Sequence, residues 1–341
     1  MKRLYQLEKW KKHSRAVSRR KLKRTRLCSP RIKHRNRLKY AFQGIENRPN
    51  AFDEKFSVVT APVEFSIIKN PEIMIGFMEE IRQELRYGKN VHIDMKGIKG
   101  ISCEAIAYLL CNISDPKFCR GKTCTGNSPL DPKIADIIKK SGFYAHVKSA
   151  NKSEANDDEK IFKRTGKKVE LKFIEKIINF STQLVYGQKT KVGGIYRTLV
   201  ECMANTRDHA SDAGKQHVPW WTTVYFNEQD KRACFTFLDN GIGIFKSVRL
   251  KKFIHIFTRT FGANPNKRVL REILEGTLPS STGIPYRGKG LPSIYRAFKR
   301  GQISRLIIIS NDVYANLETG LFLELKNNFR GTLLYWEDGK R

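Results

Sequence analysis

Apolar residues between positions 56 and 148 recur in patterns typical of alternating strands and helices. The segments "SVVTAPVEFSII" and "NVHIDMKGI" have the short apolar runs of strands. The segment "PEIMIGFMEEIRQELRYG" opens with Pro71, closes with Gly88 and repeats apolar residues at steps of four, which predicts a helix. Helices are also predicted in "SCEAIAYLLCNI" and "DPKIADIIKKSGF". This βαβα order predicts an α/β unit whose sheet is covered by helices.

The segment "ECMANTRDHA" places polar residues at regular steps along a predicted helix in the second half of the chain. Glu201, Asn205 and His209 are four residues apart, so a helix aligns their side chains on one face. Apolar residues beside them are typical of a buried opposite face. Any one of the three alone is most simply an exposed polar residue, so their meaning depends on the motifs that follow.

Glycine-bearing motifs follow this helix in a fixed order. They are Asp239-x-Gly241-x-Gly243 at the end of the strand "CFTFLD", Gly288-x-Gly290 before the helix "LPSIYRAF", and Gly331-Thr332 on a late strand. A single short glycine pair is most often a turn. Turn chemistry alone does not account for several such motifs in this order.

The net charge of +32 is unevenly distributed. Residues 1–48 hold 18 Lys and Arg against two acids, and the remaining residues carry the other half of the excess. Such a field favours a polyanion, so we interpret residues 1–48 as a basic arm, partly disordered or helical, that binds nucleic acid. A solvated tail without a partner is the alternative.

The seven cysteines do not have the spacing of a metal or disulfide framework. Their number is odd, no pair is separated by two residues, and several lie in apolar runs, so they are expected to be core thiols in a reducing compartment. No apolar segment follows the basic N-terminal stretch, and no run approaches the roughly 20 apolar residues that span a bilayer. We therefore expect a soluble cytoplasmic protein with no membrane partner.

Residues 56–148 resemble a STAS domain, the fold of anti-sigma-factor antagonists. The resemblance rests on the strand "VHIDMKGI", the turn "KGISCEA" that opens a helix, and the later "IADIIKKSGF". Regulatory STAS proteins carry a phosphorylated serine before that helix. Ser102 lies near this position without the usual Asp-Ser-Ser/Thr-Gly, so a helix N-cap is favoured over a phosphorylation switch. The polar residues 149–160 are interpreted as a linker.

The helix and the glycine motifs together resemble the GHKL ATPases, which include gyrase, the heat-shock chaperone of that class, histidine kinases and MutL. The match spans about 170–337 within a predicted domain of 161–341, and the helix ending in His-Ala is most similar to the anti-sigma-factor serine kinase branch. The resemblance implies an α/β sandwich (the Bergerat fold) that holds ATP and Mg²⁺ beneath a mobile lid at about 245–287. A helical stretch and segments rich in Gly, Pro and Ser occupy that lid region.

The resemblance also implies roles for the polar residues of the predicted helix. Asn205 would supply an oxygen ligand to Mg²⁺, a hard cation that takes oxygen ligands. Glu201, one turn earlier, would be the catalytic residue that polarises the attacking water or hydroxyl. His209 would either line the site or only pack beside it.

The glycine motifs would bind the nucleotide itself. Asp239 would accept a hydrogen bond from the adenine amino group, Gly241 and Gly243 would let the backbone approach the base, and Thr332 would support that contact. The phosphate contacts would come from the second motif, at a helix N-terminus that suits anions. Its residues are Arg287, Gly288, Lys289 and Gly290.

These implications predict an ATPase whose nucleotide state acts as a conformational switch, with a protein partner or a second copy of the chain. One alternative is a protein serine kinase that acts on a STAS protein. Another is a nucleic-acid-binding regulator that holds ATP without hydrolysing it. A histidine kinase is disfavoured because no phosphoacceptor histidine motif precedes the domain. A Walker loop is absent from the sequence, so the chain is not expected to be an NTPase of the Walker-loop class.

Overall fold

The computed structural model describes residues 56–148, 161–164, 169–211, 218–227, 230–247, 266–277 and 290–339, which form a mixed α/β fold. The predicted arm (1–48) and linker (149–160) lie outside the described residues. So do most of the predicted lid and three of the predicted phosphate contacts, Arg287, Gly288 and Lys289. Among the described helices, none has both the length and the apolar character needed to cross a membrane.

The first unit follows the order predicted from the sequence. Its strands are β1 (Phe56–Thr60), β2 (Glu64–Phe65), β3 (Asn90–Asp94), β4 (Gly100–Ile101) and β5 (Cys124–Gly126). Its helices are α1 (Pro71–Arg86), α2 (Cys103–Ile113), α3 (Pro116–Cys119), α4 (Pro132–Lys140) and α5 (Phe143–His146). A parallel sheet has the order β1-β3-β5, and β2 pairs with β4 in parallel.

Local sequence explains the helix ends of this unit. Pro71 and Pro132 stand in the first turns of α1 and α4, where the missing N–H costs no hydrogen bond. Asp131 caps α4 by accepting from the N–H groups of its first turn. Ser102 occupies the N-cap position of α2, as expected, but its side chain makes no capping bond to the helix. Its hydroxyl lies 3.3 Å from the carbonyl oxygen of Phe65.

The second unit is built on an antiparallel sheet with the order β6-β7-β8-β10-β9. The strands are β6 (Ile161–Arg164), β7 (Trp220–Asn227), β8 (Arg232–Asp239), β9 (Ser304–Asn316) and β10 (Leu321–Gly339). The helices are α6 (Leu171–Tyr186), α7 (Gly193–His209), α8 (Ile244–Ser247), α9 (Asn266–Glu275) and α10 (Gly290–Lys299). Helix α9 lies within the predicted lid and buries Val269, Leu270 and Leu274.

Both faces of the antiparallel sheet are covered. Helices α6, α7, α9 and α10 bury one face, around Phe235, Phe237 and Trp336. Helices α1 and α2 of the first unit cover the other face, where Trp221 and Phe329 are almost fully buried. The first unit and the sheet therefore share one apolar core, an arrangement that the sequence pattern did not predict.

Candidate functional site

Helix α7 has the two faces that its sequence predicted. Leu199, Cys202 and Met203 are buried against the sheet. Glu201 and Asn205 are half-buried on the opposite side, and His209 is exposed at the last residue of the helix. The polar face is therefore open enough to meet a ligand.

Asp239 ends strand β8 as a buried carboxylate with partners on both oxygens. Its Oδ1 accepts from the N–H of Gly241 at 2.7 Å, and its Oδ2 lies 3.1 Å from the hydroxyl of Thr206 on α7. Burial raises the pKa of Asp239 to about 6, although the hydrogen bonds from Gly241, Thr206 and Thr332 oppose the shift. A carboxylate in such a setting is poised to accept another hydrogen bond from a ligand near neutral pH.

The loop after Asp239 admits no side chain at either of its glycines. A Cβ at Gly241 would lie 2.6 Å from the Cβ of Ala210, at the end of α7. Gly243 has a φ of +83°, and a Cβ there would overlap the side chain of Asn311. The backbone between strand β8 and helix α8 therefore stays bare and packs closely on its neighbours.

Strand β10 completes the surroundings of Asp239. Thr332 is its direct partner across the strands, and the two strands approach so closely that a Cβ on Gly331 would overlap the carbonyl of Asp239. Ser310 on β9 lies 3.2 Å from the Thr332 hydroxyl and accepts from the N–H of Ile244 at 2.9 Å. These contacts hold the loop and two strands in one arrangement.

Helix α10 begins beside the polar face of α7. A Cβ on Gly290, its first residue, would lie 2.6 Å from Oδ1 of Asn205. The structure thus places Gly290, the final residue of the second predicted glycine motif, against the predicted metal ligand. Arg287, Gly288 and Lys289, which precede it, are outside the described residues.

Most of the residues predicted from the sequence come together around two adjoining points. Asp239, Gly241, Gly243 and Thr332 surround the end of β8, and Asn205 adjoins Gly290. Thr206 joins the two points, since it follows Asn205 in α7 and contacts Asp239. Glu201 and His209 lie one turn before and one turn after Asn205 on the same helix face.

Sequence reasoning missed four polar residues that organise this region. Thr206, Asn240, Ser310 and Asn311 are all buried and all make side-chain hydrogen bonds near the end of β8. A signal was present for two of them, because Ser310-Asn311 interrupts the apolar run "LIIIS" at the level of the glycine motif. Thr206 carried a weaker signal, as a hydroxyl on the buried face of an amphipathic helix.

Asn205 is the predicted metal ligand of this region, and its surroundings determine what kind of metal site it could join. Within the described ranges, no three His, Cys, Asp or Glu side chains lie close enough together to hold a metal ion. One carboxamide oxygen, that of Asn205, stands beside the bare start of α10. Such a set suits Mg²⁺ that takes its other oxygens from phosphate and water.

We found no protein-family model and no curated protein that matches the chain.

Proposed function

We propose that the chain is an ATP-binding protein of the GHKL type, built as a STAS-like unit joined to a Bergerat-type sandwich. One observation carries the proposal. Motifs as far apart in the sequence as Asn205 and Thr332 meet around the buried Asp239 and the contact between Asn205 and Gly290. The mixed α/β fold and the resemblance of the motifs support the same conclusion.

The surroundings of Asp239 suit the edge of an adenine base. Its carboxylate would accept from the amino group, because an ionised carboxylate is an acceptor only. The absence of side chains at Gly241 and Gly243 lets the loop pack closely on Ala210 and Asn311, which holds its backbone beside the carboxylate. Thr206 and Thr332 would hold the carboxylate oxygens in place through their hydroxyl and amide hydrogens.

The polar face of α7 would serve the phosphate end. Asn205 would contribute one oxygen to Mg²⁺, which neutralises phosphate charge when it is bound. The N–H groups at the start of α10 would face the phosphates, with Arg287 and Lys289 as the charged contacts. Glu201 is half-buried one turn from Asn205 and would orient and polarise the attacking water.

The proposed activity is ATP hydrolysis that switches the conformation of the protein. The test uses the full chain, Mg²⁺ and ATP labelled on the γ-phosphate, with Glu201→Ala compared to Glu175→Ala. Glu175 is an exposed glutamate on the neighbouring helix α6 and is a matched control. We expect free labelled phosphate from the wild type and the control, and a loss of about 100-fold or more in Glu201→Ala with nucleotide binding retained.

Other destinations of the label would contradict hydrolysis in specific ways. Label on the chain itself, or on an added STAS-domain protein, would indicate the protein serine kinase. Label that stays in bound ATP would indicate a ligand without turnover. Failure of the wild type to bind any adenine nucleotide would refute the proposal as a whole.

Residues 1–48 are proposed to bring the protein to nucleic acid. The basis is their excess of 16 positive charges, since 18 Lys and Arg face two acids. Binding that depends on phosphate contacts weakens steeply as salt rises. We expect DNA or RNA affinity to fall with salt and to be lost when residues 1–48 are deleted. Affinity that survives the deletion would show that the nucleic-acid contact is made outside residues 1–48.

A further inference from the structure

Asn240 connects the loop after β8 to the first unit of the protein. The side chain is buried, and its amide nitrogen donates to the carbonyl oxygen of Cys111 at 2.9 Å. A carbonyl only accepts, so this contact fixes which end of the carboxamide faces the helix. Cys111 lies in the last turn of α2, and its carbonyl oxygen also lies 3.4 Å from the hydroxyl of Ser114, the C-cap residue. Asn240 therefore caps a helix that lies 129 residues earlier in the chain.

Two more contacts fasten the same end of α2 to strand β10. The ring of Tyr108 stacks on Phe329 with centroids 5.0 Å apart. Arg330 forms an ion pair of 3.3 Å with Asp115, just beyond the end of the helix. Gly331 follows directly and touches the carbonyl of Asp239. The end of α2, the middle of β10 and the loop after β8 are thus packed as one body.

We propose that Asn240 is a positioning residue for nucleotide binding, and that the docked α2 helix holds residues 239–243 in their binding arrangement. The inference rests on the proposed function, because it assigns a second support to the same site. Its physical basis is that Asp239 and Asn240 are consecutive in the chain. If the Asn240 carboxamide moves, the backbone it shares with Asp239 moves too, and the Asp239 carboxylate is displaced. The coupling is reciprocal: nucleotide at Asp239 must strengthen the docking of α2 by the same factor.

The first experiment compares Asn240→Ala with Tyr314→Phe in the full chain. Tyr314 on β9 makes the matched control, because its buried hydroxyl lies 3.2 Å from the Ile68 carbonyl and also joins the two units, away from Asp239. We expect the dissociation constant for ATP to rise about tenfold in Asn240→Ala and less than twofold in Tyr314→Phe. Unfolding midpoints of both variants show whether their losses of stability are similar.

Asn240→Asp removes the donor while keeping the shape, and it serves if the alanine variant does not fold. It should weaken ATP binding at least as much. Unchanged affinity in the Asn240 variants would overturn the inference and leave the proposed function intact. Equal weakening in Tyr314→Phe would also overturn it, because the effect would then come from general loosening between the units.

The second experiment needs no variant. Hydrogen exchange is measured on the wild-type chain with and without ATP, in peptides that cover 103–115. We expect ATP to slow exchange in the last turn of α2 by about tenfold, the same factor as the coupling. Slower exchange at residues 236–243 with no change in α2 would overturn the inference. A wild-type chain that shows no ATP binding would overturn both the inference and the proposed function.

Discussion

At the scale of single residues, Asp239 is the buried ionisable group on which the candidate site is centred. It is a buried carboxyl whose pKa lies at about 6, and three hydrogen atoms of its neighbours point at its oxygens. Burial disfavours the charged form, so ionisation of this carboxyl above pH 6 lowers the stability of the folded state. The hydrogen bonds favour the charged form and leave it ready for a ligand that donates.

Replacement of Asp239 by asparagine should change how stability depends on pH. The folded pKa of Asp239 is raised, so its contribution is fully present below about pH 4 and is lost as pH rises through 6. We expect the free energy of unfolding of Asp239→Asn relative to wild type to shift in favour of the variant by about 2 kcal/mol between pH 4 and pH 7. Urea denaturation at both pH values measures the shift, and an exposed replacement such as Asp136→Asn should show none of this size.

The same titration predicts a pH dependence of nucleotide affinity. A protonated Asp239 has one oxygen fewer to offer a donor, so ATP should bind more weakly as pH falls below about 6. Equilibrium binding between pH 5 and pH 8 measures this, and Asp239→Asn should bind weakly throughout. Affinity that is flat across this range would argue against a ligand contact at Asp239.

Gly290 offers a steric test at the phosphate end. A Cβ there would lie 2.6 Å from Oδ1 of the half-buried Asn205, so Gly290→Ala should displace that side chain. We expect Mg²⁺-dependent ATP binding to weaken about tenfold, with stability changed by less than about 1 kcal/mol. Gly193→Ala is the control, because Gly193 begins α7 with nothing within 4 Å of its Cβ position. Isothermal titration with and without Mg²⁺ separates the two variants.

At the scale of elements, α2 is the helix on which both units depend. All 11 of its residues are buried, since it lies between the rest of the first unit and the antiparallel sheet. The sequence predicted its position from the apolar run "SCEAIAYLLCNI". An apolar run on every side of a helix indicates burial on every side, yet it does not say which element covers each side.

Phe329→Ala should show how much the packing of α2 on strand β10 contributes to stability. Phe329 is 1% exposed and stacks on Tyr108, so its truncation should lower the free energy of unfolding by about 3–5 kcal/mol. Phe322→Ala on the same strand is the control, because Phe322 is only partly buried beneath Arg271. Denaturant unfolding of the two variants measures the difference. An equal loss of unfolding free energy in both variants would show that the contact with α2 contributes no more than other contacts of β10.

The elements and the candidate residues were more predictable than their partners. Local sequence predicts a helix from Pro71, a helix after Ser102 and a strand that ends at Asp239. The structure confirms these three elements. The partner of Asp239 on α7 is 33 residues away, and that of Asn240 is 129 residues away. Such pairs depend on which surfaces pack together, and no local pattern in one sequence records that choice.

At the scale of the whole molecule, the two units form a continuous interior. Removal of the first unit would expose Trp221, Leu238 and Phe329 on the open face of the sheet. Interdomain contacts are usually more polar than this, and units that share an apolar core do not move independently. The nucleotide state proposed here would therefore act through local shifts at α2 rather than through rotation of a separate domain.

Separation of the units provides a direct test. We expect residues 161–341 expressed alone to be insoluble or to unfold without a cooperative transition. Co-expression with residues 50–160 should restore a soluble complex, because the interface is then covered again. A cooperatively unfolding, monomeric 161–341 fragment would show that the second unit folds on its own and that the shared core is dispensable.

The shared core also sets an order for biosynthesis. The end of α2 meets its cap from Asn240 only after 129 more residues have been translated, which takes on the order of 10 s at ordinary elongation rates. During that interval the first unit presents an uncovered apolar face to solvent or to a chaperone. Ribosome-bound chains stalled before β8 should therefore be readily digested by protease at α2, and full-length chains should resist.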